Sequence, residues 1–224
     1  MTLKEMRDLI ASIINDSEYT DTIIDAFINE GVLTVATGEI LPGRFDLSPA
    51  LPSLYKTDTV DTDTDNNTDL PVEFNRDVVL VADSDGNKIK IEPSFEKFIN
   101  TTQSEAGTVD VVAVKGSVLY YDRIPSAAAT LTVHFYSTPA TLVEDVDIPT
   151  SIPAVLHRQL IVSYALKEIY NEIELGMSGQ KVDTANYTNI HDQGLIRLRQ
   201  LIPEDDLTNF YEETTYDSFR TGRI

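Results

Sequence analysis

The sequence predicts an α+β protein: a helical bundle built from both chain ends with an inserted antiparallel β-sandwich or barrel-like module. Three observations predict it. Apolar residues recur at helical intervals near the start of the chain. The hundred or so residues after Ile40-Leu41-Pro42-Gly43 are rich in Thr, Val, Asp and turn signals and lose that period. Helical periodicity then returns beyond Asp147-Ile148-Pro149. There is no internal repeat, and the simplest packing joins the two ends while the β module loops out. The expected divisions are a helix pair over 1–40, the β domain over 41–147, the remaining helices over 148–214 and a tail over 215–224.

Residues 2 to 15 read as a short amphipathic helix. Thr2 and Glu5 have capping-box spacing, and Leu3, Met6, Ile10, Ile13 and Ile14 follow the helical period. Asn15-Asp16-Ser17 breaks it, and a second helix starts near Thr20 or Asp21. That helix places Ile23, Ile24, Phe27, Ile28 and Val32 on one face and tails off through Ala36 to Gly38.

In the middle, 78–82 and 89–91 flank Asp83-Ser84-Asp85-Gly86-Asn87, a hairpin signal with a glycine free to take positive φ. A second strand pair, 109–114 and 118–121, surrounds Lys115-Gly116-Ser117. Over 130–136, Leu131, Val133 and Phe135 alternate with Thr132, His134 and Tyr136. Residues 93–100 suit one helical turn or two.

After Pro149, Thr150 or Ser151 can cap a long third helix, with Pro153 in its first turn. Its expected buried stripe is Val155, Leu156, Leu160, Ile161, Tyr164, Ala165, Ile169 and Ile173, ending at Gly176 after about seven turns. A fourth helix runs from about Thr184 to Leu201, stopped by Pro203. The acidic run 203–207 suits a short fifth helix.

The chain has 224 residues, and its 37 acidic and 17 basic side chains leave a formal charge of −20. Its length supports an ordinary hydrophobic core. With no cysteine, a disulfide framework, a Cys-based zinc site and thiol catalysis are excluded. The N-terminal residues carry mixed charge without an apolar stretch, which points to a soluble, unexported chain. The charge opposes adhesion to phosphate backbones and anionic lipid, but is compatible with a smooth wall past which DNA slides.

The run 57–69 places Asp61, Asp63 and Asp65 at the one-three-five spacing of a calcium loop. The rest of that template fails: Asn66 stands where glycine is needed and Val72 where a bidentate Glu is needed. A solvated acidic loop is expected instead. His134, His157 and His191 fall on different elements without ligand spacing and read as ordinary core or surface histidines. No phosphate-binding glycine loop or Gly-x-Ser-x-Gly elbow occurs, and no catalytic residue, cofactor or metal site is assigned. The last ten residues set Tyr216, Phe219, Arg220, Arg223 and Ile224 on an otherwise acidic chain, and aromatic and Arg anchors of this kind suit docking to a partner.

Three sets of residues carry a resemblance. The first is Ala26-Phe27-Ile28-Asn29-Glu30-Gly31 followed by Ile40-Leu41-Pro42. The second is Leu119-Tyr120-Tyr121 with Val133-His134-Phe135-Tyr136-Ser137-Thr138-Pro139-Ala140-Thr141-Leu142. The third is Asp147-Ile148-Pro149 leading into Leu156-His157-Arg158-Gln159-Leu160-Ile161-Val162-Ser163-Tyr164-Ala165-Leu166. In order and placement these stretches resemble the adaptor proteins, also called head-completion or head-tail connector proteins, of tailed bacteriophages.

The resemblance implies a helical bundle with a β-sandwich insertion, assembled as a ring, commonly a dodecamer, beneath the portal at the capsid vertex. Such a ring extends the DNA channel without specific binding to DNA, and it docks tail, nozzle or tail-terminator proteins. The protein would sit at the head-tail interface of the virion, after a stage in the host cytoplasm, with no cofactor and no membrane partner. In this family the C-terminal end often reaches into the portal protein, a role that falls by position on Tyr216, Phe219, Arg220, Arg223 and Ile224. The Thr/Asp loop 57–69 departs from the expected pattern. A rival from the residues alone is a carbohydrate- or receptor-binding β module, with Tyr120 and Tyr121 as stacking surface and calcium in the acidic loop. A carboxylate-based hydrolase is a third reading, for which no base or nucleophile can be located.

Overall fold

The structure, a computed structural model, describes residues 1–41, 43, 47–62, 64–101, 106–125, 127–175 and 181–202. It divides into two compact units, one of Met1–Ser53 with Pro139–Ile224 and the other of Leu54–Thr138. Ser48, Ser53 and 139–147 fall in the first unit and are bonded there. Ser48 N–H donates to Glu39 O at 2.7 Å and the Ser53 hydroxyl to Ser151 O at 2.9 Å. Leu142 pairs with the Asn29 side chain in the same way.

In the first unit, α1 spans Leu3–Ile14 and starts with the expected box: the Thr2 hydroxyl accepts from Glu5 N–H, and the Glu5 carboxylate from Thr2 N–H. Leu3, Met6 and Ile10, spaced for one face, are fully buried. Asn15 closes the helix in the left-handed region at φ 50°, a conformation its short polar side chain tolerates. The second helix, α2, spans Asp21–Thr37 and buries Ile24, Ile28, Gly31, Val32, Val35 and Ala36. Ile23, expected inside, is exposed. Gly31 is required by close approach, since a Cβ there would lie 3.0 Å from Cδ1 of Tyr164.

The expected third helix is not uniform. It begins as a 3₁₀ turn over Ala154–Leu156, widens to a π turn over Arg158–Val162, and becomes α-helical as α4, Ser163–Ile173 (α3 lies in the other unit). The widened turn finds side-chain donors for its carbonyls: the Ser163 hydroxyl lies 3.0 Å from Arg158 O and 2.8 Å from Gln159 O, and His191 Nδ1 lies 2.9 Å from Leu160 O. The extra residue also rotates the faces. Residues 160 to 166 are buried without interruption, whereas Val155, expected in the stripe, is 78% exposed. This stretch packs against α1, α2 and the last helix, while Arg158 before it and Asn171 and Glu172 after it stay exposed.

The last helix, α5, spans Val182–Leu201 and packs along α4. Its free N-terminal N–H groups are taken by the residue that caps the end of α4: Glu174 accepts from Asp183 N, Thr184 N and the Thr184 hydroxyl. These bonds hold the Glu174 carboxyl below the usual carboxylate range. The expected end signal Gly176, the short helix over 203–207 and the tail lie outside the described residues.

The second unit is one curled, seven-stranded sheet, a half-barrel, and its strands run β1 Tyr55–Asp61, β2 Asn67–Asp69, β3 Phe74–Ala82, β4 Lys88–Ile91, β5 Val111–Lys115, β6 Val118–Tyr121 and β7 Thr130–Ser137. Their spatial order is β1-β7-β3-β4-β5-β6-β2. Both predicted hairpins form, β3 with β4 and β5 with β6. The sheet is mixed, not antiparallel throughout, because β4 and β5 run parallel. Their connection carries the helix α3, Phe95–Thr101, and a parallel pair needs such a crossover.

Curling follows from three register shifts where β3 meets β7, around Asp77 at φ 49°. Each irregularity bends the strand and raises its twist. The concave side holds Val78, Val81, Ile89, Val112, Leu119, Tyr121, Leu131, Val133 and Phe135, so a single bent sheet encloses the core that a sandwich was expected to supply.

Most of the acidic run is strand. Thr57 to Asp61 lie in β1, paired in register with β7, and Asn67 to Asp69 form β2 against β6. The link is also wired: Thr62 is buried, bonded through N–H to Ala129 O and through its hydroxyl to Ala129 N–H. Only Val60 of β1 is buried, so the strand is held mainly by its ladder, and hydrophobic alternation gave no sign of it.

Asn29→Ala leaves the N–H and C=O of Leu142 without their partner. We expect a loss of about 2 kcal/mol in urea unfolding. Asn189→Ala, on the exposed side of α5, should change stability by less than about 0.5 kcal/mol.

Candidate functional site

Exposed side chains on a rigidly held segment are candidates for contact with a partner, and the segment 142–148 has them. Asn29 on α2 clamps both backbone groups of Leu142, accepting its N–H at 2.8 Å and donating to its C=O at 3.0 Å. Arg7 on α1 donates to both carboxylate oxygens of Asp25 at 2.7 and 2.6 Å, and to Asp145 at 2.9 Å. Bonds to Asp25 above all raise the Arg7 guanidinium above its already high value, against a smaller opposing effect of burial. It stays charged throughout the working pH range.

The segment also folds on itself and onto α1. The Asp147 carboxylate accepts Val143 N–H and Glu144 N–H, both at 2.8 Å, and these bonds hold it below the usual carboxylate range. Its carbonyl accepts Leu3 N–H at 2.8 Å, and the Asp145 carbonyl accepts Lys4 N–H at 3.1 Å. The outcome is a turn fixed at both ends that exposes Val143 by 72% and Val146 by 76%, with Ile148 beside them. Pinned, exposed aliphatic side chains lose little entropy on docking, which makes them suitable anchors for a partner.

Two histidines serve the interior of this unit. His157 Nε2 lies 2.9 Å from Ile152 O and its Nδ1 3.0 Å from the Met1 nitrogen. Nε2 therefore donates and Nδ1 accepts in the arrangement these partners favour. His191 bridges Leu160 O and, at 2.5 Å, Glu39, with its ring edge-on to Tyr164. Both are buried, as the sequence suggested for core histidines.

In the sheet unit, His134 faces outward on β7, and its Nδ1 meets the Tyr55 hydroxyl at 2.8 Å and the Thr57 hydroxyl at 3.0 Å. Those contacts fasten the edge strand β1 to its neighbour. The stacking surface expected of Tyr120 and Tyr121 is not there. Tyr121 is fully buried in the core with its hydroxyl 3.2 Å from Asn67 O, and Tyr120 lies under the Phe95 ring of α3, centroids 4.8 Å apart. Alternation sends adjacent residues to opposite sides of a sheet, and here both sides are covered at that point.

Of the calcium-spaced set, Asp61 accepts from the Thr130 hydroxyl at 2.8 Å and Asp63 lies outside the described residues. Among the described residues no group of three or more His, Asp or Glu is placed to hold a metal ion, and no helix is long and apolar enough to cross a membrane. The tail residues Tyr216, Phe219, Arg220, Arg223 and Ile224 also lie outside the described residues.

Residues 1–211 match the family model of the SU10 adaptor protein. The chain belongs to the SU10 adaptor protein family. It is therefore a structural protein of the bacteriophage virion and interacts with other virion components. Proteins of this family are not normally enzymatic. No curated protein matches the chain. The match spans the helical elements and the sheet unit together and ends five residues before Tyr216.

Sequence inspection placed Asp147-Ile148-Pro149 at a helix boundary and missed the turn before it. Two valines among three acids at 143–147, outside any strand, are the available signal, and only the partners Asn29 and Arg7 fix their exposure.

Burial depresses the His157 ring below its usual value near 6.5, so the unfolded chain takes up a proton before the folded one does. Its contribution to stability is whole above about pH 6.5 and is lost as pH falls from there toward the folded-state value. Unfolding measured at pH 7 and pH 5.5 should show a pH-dependent loss in the parent protein that is smaller in His157→Phe. Equal losses in the two would remove His157 from the effect.

Proposed function

We propose that the chain is the ring-forming adaptor at the head-tail interface of a tailed phage, placed between portal and tail. In this reading helices from both chain ends form the bundle that packs into the ring, and the ring extends the DNA channel and docks tail or nozzle proteins. The C-terminal residues Tyr216, Phe219, Arg220, Arg223 and Ile224 contact the portal protein. Twelve subunits is the expected number, from the resemblance to phage connectors.

The observation that carries the reading is the family match over residues 1–211. Other features support it. A formal charge of −20 opposes adhesion of DNA to the wall of a channel through which it must move. The two units offer separate surfaces, one helical and one of sheet, for different neighbours. The portal role of the tail is supported by residue type: two arginines and two aromatics among its last nine residues supply the anchors that dominate interfaces.

The test is mass determination by light scattering, with electron microscopy of any rings, on the protein alone and after mixing with the portal protein of the same phage. Rings formed on the portal support the reading, and a chain that remains monomeric in its presence refutes it. Removal of residues 215–224 should leave the circular dichroism and melting temperature of the folded protein unchanged while reducing portal binding at least tenfold. Unchanged portal binding would remove the tail from the mechanism.

A further inference from the structure

Two exposed patches of the helical unit are complementary in chemistry. The first is the pinned turn, which presents Val143, Glu144 and Val146. Its other acids are spent inside the fold, Asp145 on Arg7 and Asp147 on the turn's own N–H groups. Glu144 is exposed and makes no ion pair among the described residues.

The second patch begins at the 3₁₀ turn. Leu156 and His157 point inward there, at 2% and 1% exposure, and Val155 therefore faces solvent. Arg158 follows it by three residues, exposed and without a carboxylate in ion-pair range among the described residues. Arg197 on α5 donates to the side chain of Gln159, the next residue in the chain, at 2.9 Å. Close helix approach fixes this: a Cβ on Gly194 would lie 2.9 Å from Leu160 Cδ2 and 3.1 Å from Gln159 O. The backbone of the patch is held by the Ser163 and His191 bonds to the π turn.

We infer that these patches are the two halves of the contact between neighbouring copies of this chain, with Val143 and Val146 of one copy against Val155 of the next, and Glu144 paired with Arg158. The inference rests on the ring reading above and names its interface. The occupant is argued from charge. Copies carrying −20 each repel unless an acid meets a base where they touch, and these patches join aliphatic area of the same kind to opposite charge. Where each copy uses one patch toward each neighbour the contact is head-to-tail, and such contacts close into a ring when the rotation per copy permits. Both are rigid before contact, so docking orders little additional chain.

The experiment is charge reversal in the full chain, with ring formation on the portal followed by electron microscopy and native mass. Glu144→Arg and Arg158→Glu, each with a parent-like melting temperature, should reduce the assembled fraction at least tenfold. The double variant should return it to within about twofold of the parent. Rings that form normally with either single change, or a double variant that is not rescued, overturn this contact and leave the ring reading standing. Normal rings that no longer accept a tail would give the patches to a tail-side partner and overturn it as well. A parent protein that forms no ring on the portal overturns both.

Discussion

The first-turn amides of Leu3 and Lys4 have no partner within α1, and the carbonyls of Asp147 and Asp145 take them. That exchange joins residues more than 140 positions apart, and much of the helical unit depends on it. It fixes the entry of α1, so that Leu3, Met6 and Ile10 point into the core and Arg7 falls between Asp25 and Asp145. The same arrangement stiffens the turn that exposes Val143 and Val146. A capping requirement of one helix thereby holds two aliphatic side chains out to solvent on another part of the chain.

A similar economy governs the π turn. Widening a helix disturbs its regular bonding, and the cost is offset by Ser163 from within and His191 from α5. In return seven consecutive residues are enclosed, and α2 and α5 approach closely at Gly31 and Gly194. Glycine is needed at these two places because neighbouring side chains occupy the volume of a Cβ. The exposed Val155 and Arg158 are the outer consequence of that repacking.

The sheet unit solves a different problem. A curled sheet has two edges, and exposed edges invite pairing with other chains. Here the edge strand β1 carries Asp58 and Asp61 among threonines. The Asp58 carboxylate accepts the N–H of Thr59 at 2.8 Å, occupying one of the strand's own amides. The acidic composition that looked like a solvated loop is suited to an edge strand that must not aggregate in a crowded assembly.

Local patterns in the sequence determined much of this protein: the capping box of α1, the starts and ends of α1, α2 and α5, both hairpins, and the inward residues Leu131, Val133 and Phe135. Each depends on neighbours within about four residues or on strict alternation, and such signals survive without knowledge of the fold. The family was legible in the order of elements and in stretches spread along the chain. Tertiary structure alone decided the rest. It made one curled sheet in place of a sandwich, recruited the acidic run as β1 and β2, interrupted the central helix, and paired Asn29 with Leu142 and Arg7 with Asp145. Those outcomes depend on hydrogen bonds between residues distant in sequence, where a polar side chain or free backbone group is satisfied by whichever partner packing brings near, and no local period records which partner that will be.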